Sequence, residues 1–507
     1  MDFILNNLLT LIVFTPLVGS VLIMLLPREN KPLLRWAAFV FSLVPAALSI
    51  LLWFVYQPDV GGFQFEVYAP WFPTINAGYH VGVDGISVAM ILLTGILTPL
   101  AILISFSIEE RVQAYMALFL LLEMGMMGVF VALDLIIFFV FWEFGLVPMY
   151  FLINQWGGAD RHYASFKFFI YTMAGSVGML LAIQAMGLTA GTFDLLGIAQ
   201  VWPNLTVGLF GLPITTVKTI AFWAFFLAFA IKVPIWPFHT WLPDAHTEAP
   251  TAGSMILAGI LLKLGAYGFL RIIQPLFPHE FQAFALPVAI LALLAIVLGA
   301  YASLGQRDFK KLIAYSSVSH MGMVVLGLAV AARVLGADEA TRLNGIIAAN
   351  GAVLQMFNHG LYSAALFALV GVVYERTHTR NLDDYGGLWV ALPVYGGMLI
   401  FSSMASLGLP GLNGFVSEFL VVRGAWPVFP AITFIGLLGL LLSAAYSLKA
   451  IQKVLHGPLN PHWTHLKEVT WREALAIAPL MLLMIAIGVW PRWLLDVINL
   501  TVTRMIG

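Results

Sequence analysis

The sequence predicts an all-α polytopic membrane protein of about 14 transmembrane helices, and three observations carry that expectation. Of 507 residues, 61% are hydrophobic and only 10% charged, well under half the roughly 25% charged content of soluble domains. Apolar runs long enough to cross a bilayer, about 18 residues or more, recur from end to end with short polar breaks. The longest polar stretches, 57–84 and 188–216, are too short to build a soluble catalytic domain. A net charge of −1, with 24 Lys+Arg spread thinly, leaves no basic patch for nucleic acid. The lack of cysteine excludes disulfides, thiolate metal sites, iron–sulfur clusters and cysteine nucleophiles.

At about 20 apolar residues per span, the segments fall at 8–26, 33–56, 85–107, 113–132, 134–154, 165–187, 217–242, 252–274, 282–304, 311–333, 349–373, 391–424, 430–453 and 474–491. The first has no basic flank, carries Asn6 and Asn7 and lacks a small-residue cleavage site before Pro27, so it reads as a span rather than a signal peptide. The seventh contains Pro234 and Pro237. The twelfth reads Gly408-Leu409-Pro410-Gly411-Leu412-Asn413-Gly414. Proline removes a backbone donor, so both are expected to be broken helices. The whole chain, 1–507, is expected to form one membrane domain: helices one to three over 1–112, two larger units at 113–274 and 282–453, and a loop with a terminal helix at 454–507.

Lysine and arginine counts predict orientation, because positive loops stay on the cytoplasmic side. With the N-terminus outside, the inner loops hold Arg28, Lys31, Arg35, Arg111, Arg161, Lys167, Arg307, Lys310, Lys311, Arg376, Arg380, Lys449, Lys453, Lys467 and Arg472. The outer side holds Lys218, Arg271, Arg333, Arg342, Arg423, Arg492 and Arg504, with Lys218 and Arg271 near enough to helix ends to snorkel. This asymmetry places both termini on the outer, periplasmic face of a bacterial cytoplasmic membrane.

Lys232 and Lys263 belong to neither side. A charge at the bilayer centre costs about 2.5–3.5 kcal/mol on insertion scales, so intramembrane ionisable residues are functional candidates by default. The set comprises Glu143, Lys232, Lys263, His320, His359 and Glu418, with Glu123, His239 and Lys311 as further candidates. The alternative for a single glutamate–lysine pair is a structural lock between two helices. A series of such groups is instead what a proton path needs: acids and bases a few ångströms apart, bridged by water, with lysines able to release a proton when a carboxylate partner moves away. His320 and His359 could alternatively ligate haem, but Ser316, Ser317, Ser319 and Asn358 make the neighbourhood a hydrogen-bonding strip rather than an apolar slot. The prolines beside Lys232 add a second signal, since unwound backbone at membrane depth is tolerated only inside protein or along a watery cavity.

These residues sit in motifs that follow one another in a recognisable order. They are Gly82-Val83-Asp84-Gly85-Ile86-Ser87, the segment from Phe141 to Pro148, Lys232-Val233-Pro234 continuing through Pro237-Phe238-His239-Thr240-Trp241-Leu242-Pro243-Asp244-Ala245-His246, Leu261-Leu262-Lys263-Leu264-Gly265-Ala266-Tyr267-Gly268, and Lys310-Lys311-Leu312 through His320-Met321-Gly322. Over about residues 80–490 the chain resembles the antiporter-like subunits of respiratory complex I, the proton-pumping NADH:quinone oxidoreductase, and their relatives in multi-subunit Na+/H+ antiporters. The resemblance implies two inverted five-helix repeats, helices 4–8 and 9–13, with helices 7 and 12 broken. It matches Glu143 to the glutamate of the fifth helix, Lys232 to the lysine of the seventh and Lys263 to that of the eighth. His320 and His359 fall on the relay to a second half-channel, and Glu418 ends the broken twelfth helix. Glutamate at 418, where siblings usually carry lysine, resembles the middle of the three sibling subunits, and no residues remain after 491 for the long lateral helix of the largest. The implied chemistry is proton translocation as a non-redox subunit of a translocase. NADH, FMN, iron–sulfur clusters and quinone are then expected in partner subunits, none in this chain, and the larger and smaller siblings and the lipid bilayer are the expected partners. The alternative is a subunit of a Na+/H+ antiporter without redox partners.

Overall fold

The computed structural model describes residues 2–209 and 211–507. Among the described residues, thirteen helices are long and apolar enough to cross a membrane: α1 Leu8–Leu25, α2 Lys31–Val55, α3 Gly85–Ser107, α4 Val112–Val131, α5 Leu135–Trp156, α6 Arg161–Ala190, α7a Ile214–Lys232, α8 Thr251–Leu276, α9 Ala285–Gly305, α10 Phe309–Arg333, α11 Glu339–Thr377, α13 Pro430–Leu455 and α14 Trp471–Val489. The fourteenth is split into α12a Pro393–Ser406 and α12b Asn413–Ala425, each too short to cross alone. Helix seven also continues past its break, as α7b Trp241–Glu248.

Span starts are written in side chains that accept the first free backbone N–H groups. Asn30 caps α2, Asp84 caps α3, Asp134 caps α5, Asp308 caps α10 and Asp338 caps α11; Thr470 and Glu473 form a capping box on α14. In the centre stand α8 and α11, enclosed by other helices. α11 has 39 residues, or about 58 Å at 1.5 Å per residue, far beyond the expected 349–373. α1, α2, α6, α9, α13 and α14 surround this centre and leave apolar side chains such as Phe54, Leu181, Leu441 and Leu482 exposed for lipid or partner subunits.

The all-α architecture carries one small two-stranded sheet. Gln64–Phe72 and Ala77–Val83 form an antiparallel hairpin, β1 and β2, with Tyr68 opposite His80. Its alternation of aromatic and β-branched residues is a readable strand signal inside what looked like an outer loop. A short helix at Arg492–Ile506, α15, follows the last span and buries Leu494, Ile498 and Val502. Gly85 meets the backbone of Val497 there, where any Cβ would collide.

Both termini lie on the hairpin face. Tyr79 bonds Thr10 near the start of α1, and Arg504 reaches Val60 near the end of the chain. An even number of crossings follows. Three residues counted in loops are buried: Lys310 in the first turn of α10, Arg271 paired with Asp84 at 2.6 Å, and Lys218 bonded to the carbonyls of Pro203 and Leu205. Setting them aside leaves the charge asymmetry intact.

The hairpin is pinned by a charged node. His80 Nδ1 lies 2.5 Å from Asp194 and Nε2 lies 3.1 Å from Glu66, while Leu133 N bonds the His80 carbonyl and Gly78 N bonds Asp134. The bond to Asp194 holds the His80 imidazolium above its ordinary 6.5 despite burial. Burial pushes Asp194 up, but its bond to His80, the His80 charge and the backbone N–H groups of Gly197 and Leu196 together outweigh this and leave it below 3.8. By linkage, the His80 contribution is complete below 6.5 and is lost as pH rises through its raised value; that of Asp194 holds above 3.8 and is lost as pH falls through its lowered value. Hydrogen exchange of the hairpin amides, corrected for intrinsic pH dependence, is therefore expected to quicken as pH rises above 6.5 and through the raised His80 value in the native chain but not in His80→Gln.

Candidate functional site

α7a stops at Lys232 because Pro234 and Pro237 cannot donate to the ladder. Trp241 Nε1 takes up one freed carbonyl, that of Ile231, at 2.8 Å. Lys232 is thus held at the negative end of α7a's dipole, 2% exposed, with Nζ 4.9 Å from the centre of the Trp142 ring. Glu143 is the next residue along and the carboxylate whose charge acts on Lys232. The two are not bonded: both Glu143 oxygens are screened from solvent without a partner, and no ion pair joins them to Lys232. α5 is interrupted at Gly145, two residues after this glutamate. Glu123, on adjacent α4, is fully buried with both oxygens unpartnered.

α8 looked like a plain helix, yet it contains two π-helical turns, Leu257–Leu261 and Phe269–Ile273. Such turns collect at functional positions because they re-aim side chains and free carbonyls. Lys263 lies between them, fully buried, bonded to the Ala258 carbonyl five residues back and 2.5 Å from Nδ1 of His359 on α11. Nε2 of His359 has no partner.

From His359 the polar groups continue. Its ring centre is 5.8 Å from that of His320, and Tyr362 packs 5.3 Å from each. His320 Nδ1 lies 3.0 Å from Glu418 Oε1, and its Nε2 faces Tyr446 at 3.1 Å and Ser406 at 3.3 Å. Gln355 donates to Glu418 at 3.4 Å and to Tyr362 at 3.0 Å, and is held in turn by Ser417. Asn358 donates to the Asn413 carbonyl and to Ser417, tying α11 to the start of α12b. Both ring nitrogens of His320 already have hydrogen-bond partners, so ligating a haem iron would require giving one of them up.

The structure thus joins Lys263, His359, His320 and Glu418 in one row, and keeps Glu143 and Lys232 as a separate couple beside Trp142. It does not bring in the other three candidates, of which Glu123 is described above. His239, in the gap between α7a and α7b, is half-buried against Tyr315, and Lys311 is half-buried with no side-chain bond. The buried lysine of that pair is Lys310. Nor do Ser317 and Ser319 face the path, since their hydroxyls turn to the carbonyls of Ile313 and Ile296. Sequence reading missed His246, fully buried with both ring nitrogens unpartnered and stacked on Phe367 at 4.5 Å. It also missed Gln355 and Tyr362, whose spacing of four before and three after His359 marks one face of α11. Tyr446 stands in an apolar run with no such signal.

The model of the family described as "NADH:quinone oxidoreductase/Mrp antiporter, TM" matches residues 132–443, from the end of α4 into α13. The chain belongs to that family. It is 42% identical to NADH-quinone oxidoreductase subunit M of Rhodobacter capsulatus, over 99% of this chain and 96% of the relative. A chain of respiratory complex I from Thermus thermophilus superposes with a TM-score of 0.85 at 29% identity, covering 98% of this chain and all of that one. A chain of the Mrp complex from Dietzia sp. superposes with a TM-score of 0.82 at 23% identity and is covered over 52% of its length; it speaks to the fold alone.

One glycine tests how tightly the family's second broken helix holds its acid. Gly408 has φ +81°, and a Cβ there would sit 2.8 Å from Glu418 Oε2. Gly408→Ala is expected to cost roughly 1–2 kcal/mol in backbone strain and to displace the carboxylate from His320. The assembled variant should transfer protons several-fold more slowly, which vesicle pumping assays read against quinone reduction.

Proposed function

We infer that this chain is the proton-translocating membrane-arm subunit, in the subunit M position, of an NADH:quinone oxidoreductase. The single observation that carries the reading is the enclosed row Lys263–His359–His320–Glu418 across α8, α11, α10 and α12b. Burying these groups for packing alone would leave His359 Nε2 and the Glu143 and Glu123 oxygens without partners, which is costly unless water or protons visit them.

In this reading Lys263 Nζ yields its proton to Nδ1 of His359, which releases one from Nε2. The rings are too far apart for a direct bond, so a water or the Tyr362 hydroxyl bridges to His320. Receiving that proton at Nε2, His320 hands its Nδ1 proton to Glu418. Glu143 and Lys232 act upstream: moving their charges apart or together changes how readily Lys232 parts with a proton. The redox groups, NADH, FMN, iron–sulfur clusters and quinone, belong to partner subunits, among them larger and smaller siblings of this chain. We place the protein in a bacterial cytoplasmic membrane with both termini outside, on the lysine and arginine asymmetry and the shared face of the termini. We also assign α4–α8 and α9–α13 to two inverted repeats, each holding one broken helix. Glutamate rather than lysine at 418 favours this assignment over a Na+/H+ antiporter.

Glu143→Ala, Lys232→Ala and Glu418→Gln are each expected to leave assembly and quinone reduction in place while slowing proton transfer by roughly a hundredfold, the usual worth of one acid–base group. Native proton-to-electron ratios in all three reconstituted variants would refute the reading. Sodium-dependent exchange without quinone reduction, supported by Glu418→Lys, would point to the antiporter instead.

A further inference from the structure

On the hairpin face a cavity of about 300 Å3 lies between the last turns of α8, α15, the short helix Leu195–Val201 and the residues just before β1. Arg271, 6% exposed, lines it. Its guanidinium gives Nη2 to Asp84 and Ser87 and Nε to the Tyr267 hydroxyl, which leaves Nη1 without a bond among the described residues. The Phe63 ring covers the guanidinium at 4.7 Å. Arg504 lines the same cavity and donates only to the Val60 carbonyl, at 3.4 Å. Asp84, the one acid in the lining, is spent: Oδ2 takes Arg271 at 2.6 Å and Oδ1 takes the N–H groups of Ile86 and Ser87. Two guanidiniums therefore meet one carboxylate, and the cavity carries one positive charge in excess. Apart from Thr501, which accepts from Gly85 N, the rest of the wall is apolar, with Leu195, Leu196, Ala199 and Met505 in it. Ordered water needs two to four polar partners, so it suits the arginine end of this cavity and not the aliphatic one. A guanidinium N–H left free beneath an aromatic ring suits an oxyanion. Apolar walls with a few convergent polar groups, at about 300–1,000 Å3, are the usual form of a small-molecule site.

We propose that this cavity binds a monoanionic amphiphile. Its oxyanion head, a carboxylate or a phosphodiester, bridges Arg271 Nη1 and Arg504, and its aliphatic body packs on Leu195, Leu196, Ala199 and Met505. One negative charge cancels the excess, and the head supplies the acceptor that Nη1 lacks. Bound there, the ligand joins α8 to α15. The site shares no residue with the row from Lys263 to Glu418. A diffusible fatty carboxylate and the headgroup of an anionic phospholipid offer the same chemistry.

The test uses the full complex in vesicles of zwitterionic phosphatidylcholine, so that no anionic lipid competes. Two probes carry a diazirine on their aliphatic part: decanoate, added to the solution, and phosphatidylglycerol, mixed into the bilayer. After illumination, cross-links are mapped by mass spectrometry to residues 195–199 and 501–505 and normalised to labelling of α13, whose exposed Leu441 meets either probe in the lipid. At least one probe is expected to label the cavity. Labelling by decanoate alone identifies a diffusible carboxylate, labelling by the lipid alone identifies a headgroup, and either supports the site. Arg504→Gln removes one charge-assisted contact at an exposed position and should lower cavity labelling about tenfold. Ala199→Trp fills the aliphatic end without touching a charge and should abolish it. If neither probe labels the cavity in the assembled complex, as when an acidic side chain of a partner subunit fills it, the proposal is overturned. Native labelling in either variant also overturns it, and Ala199→Trp decides alone if Arg504→Gln does not assemble.

Discussion

The contact between Lys263 and His359 is the interaction around which the molecule is arranged. It joins α8 to α11 at the centre of the membrane, with no solvent in reach of either side chain. An ammonium there is sustained only by ligands supplied within the fold. The π-helical turn of α8 presents the Ala258 carbonyl as one such ligand and the face of α11 presents the imidazole as another. The enclosure of both helices by the others keeps competing water limited to what polar side chains hold.

Helix breaks are the means by which charge is placed at depth. A continuous helix satisfies its own backbone and offers a charged side chain nothing; a break exposes carbonyls and helix ends. At Lys232 the break leaves the amine on a negative helix end and a tryptophan face. At Glu418 the unwinding between Ser406 and Asn413 lets α12a and α12b bracket the carboxylate while Asn358 donates to the Asn413 carbonyl. The same device serves opposite charges because one break exposes carbonyls near a cation and the other admits donors near an acid.

Away from the path, charged groups act as clamps. Arg271 and Asp84 join α8 to the start of α3, with Ser87 and Tyr267 as further partners of the guanidinium. Removing either partner of such a buried pair leaves the other uncompensated, which costs far more than the pair contributes. His80 does similar work at the hairpin face, and Arg380 at the opposite face. The ends of the central helices are thus held by ions while their middles carry the titratable row.

The sequence by itself determined the membrane class, the fourteen crossings, the two breaks and the identity of the buried ionisable residues, because each rests on a local property: apolar length, proline and glycine chemistry, or the cost of a charge in lipid. It also carried, unread, the hairpin alternation at 64–83 and the 355–358–359–362 face of α11. Which groups touch was decided only by tertiary structure. Lys263 and His359 are 96 positions apart and His320 and Glu418 are 98, and no local rule relates side chains on helices so distant in the chain. The π-turns of α8, the separation of Glu143 from Lys232 and the burial of Lys310 rather than Lys311 depend in the same way on what packs alongside, since a helix assigns each residue a direction but its neighbours decide what lies there.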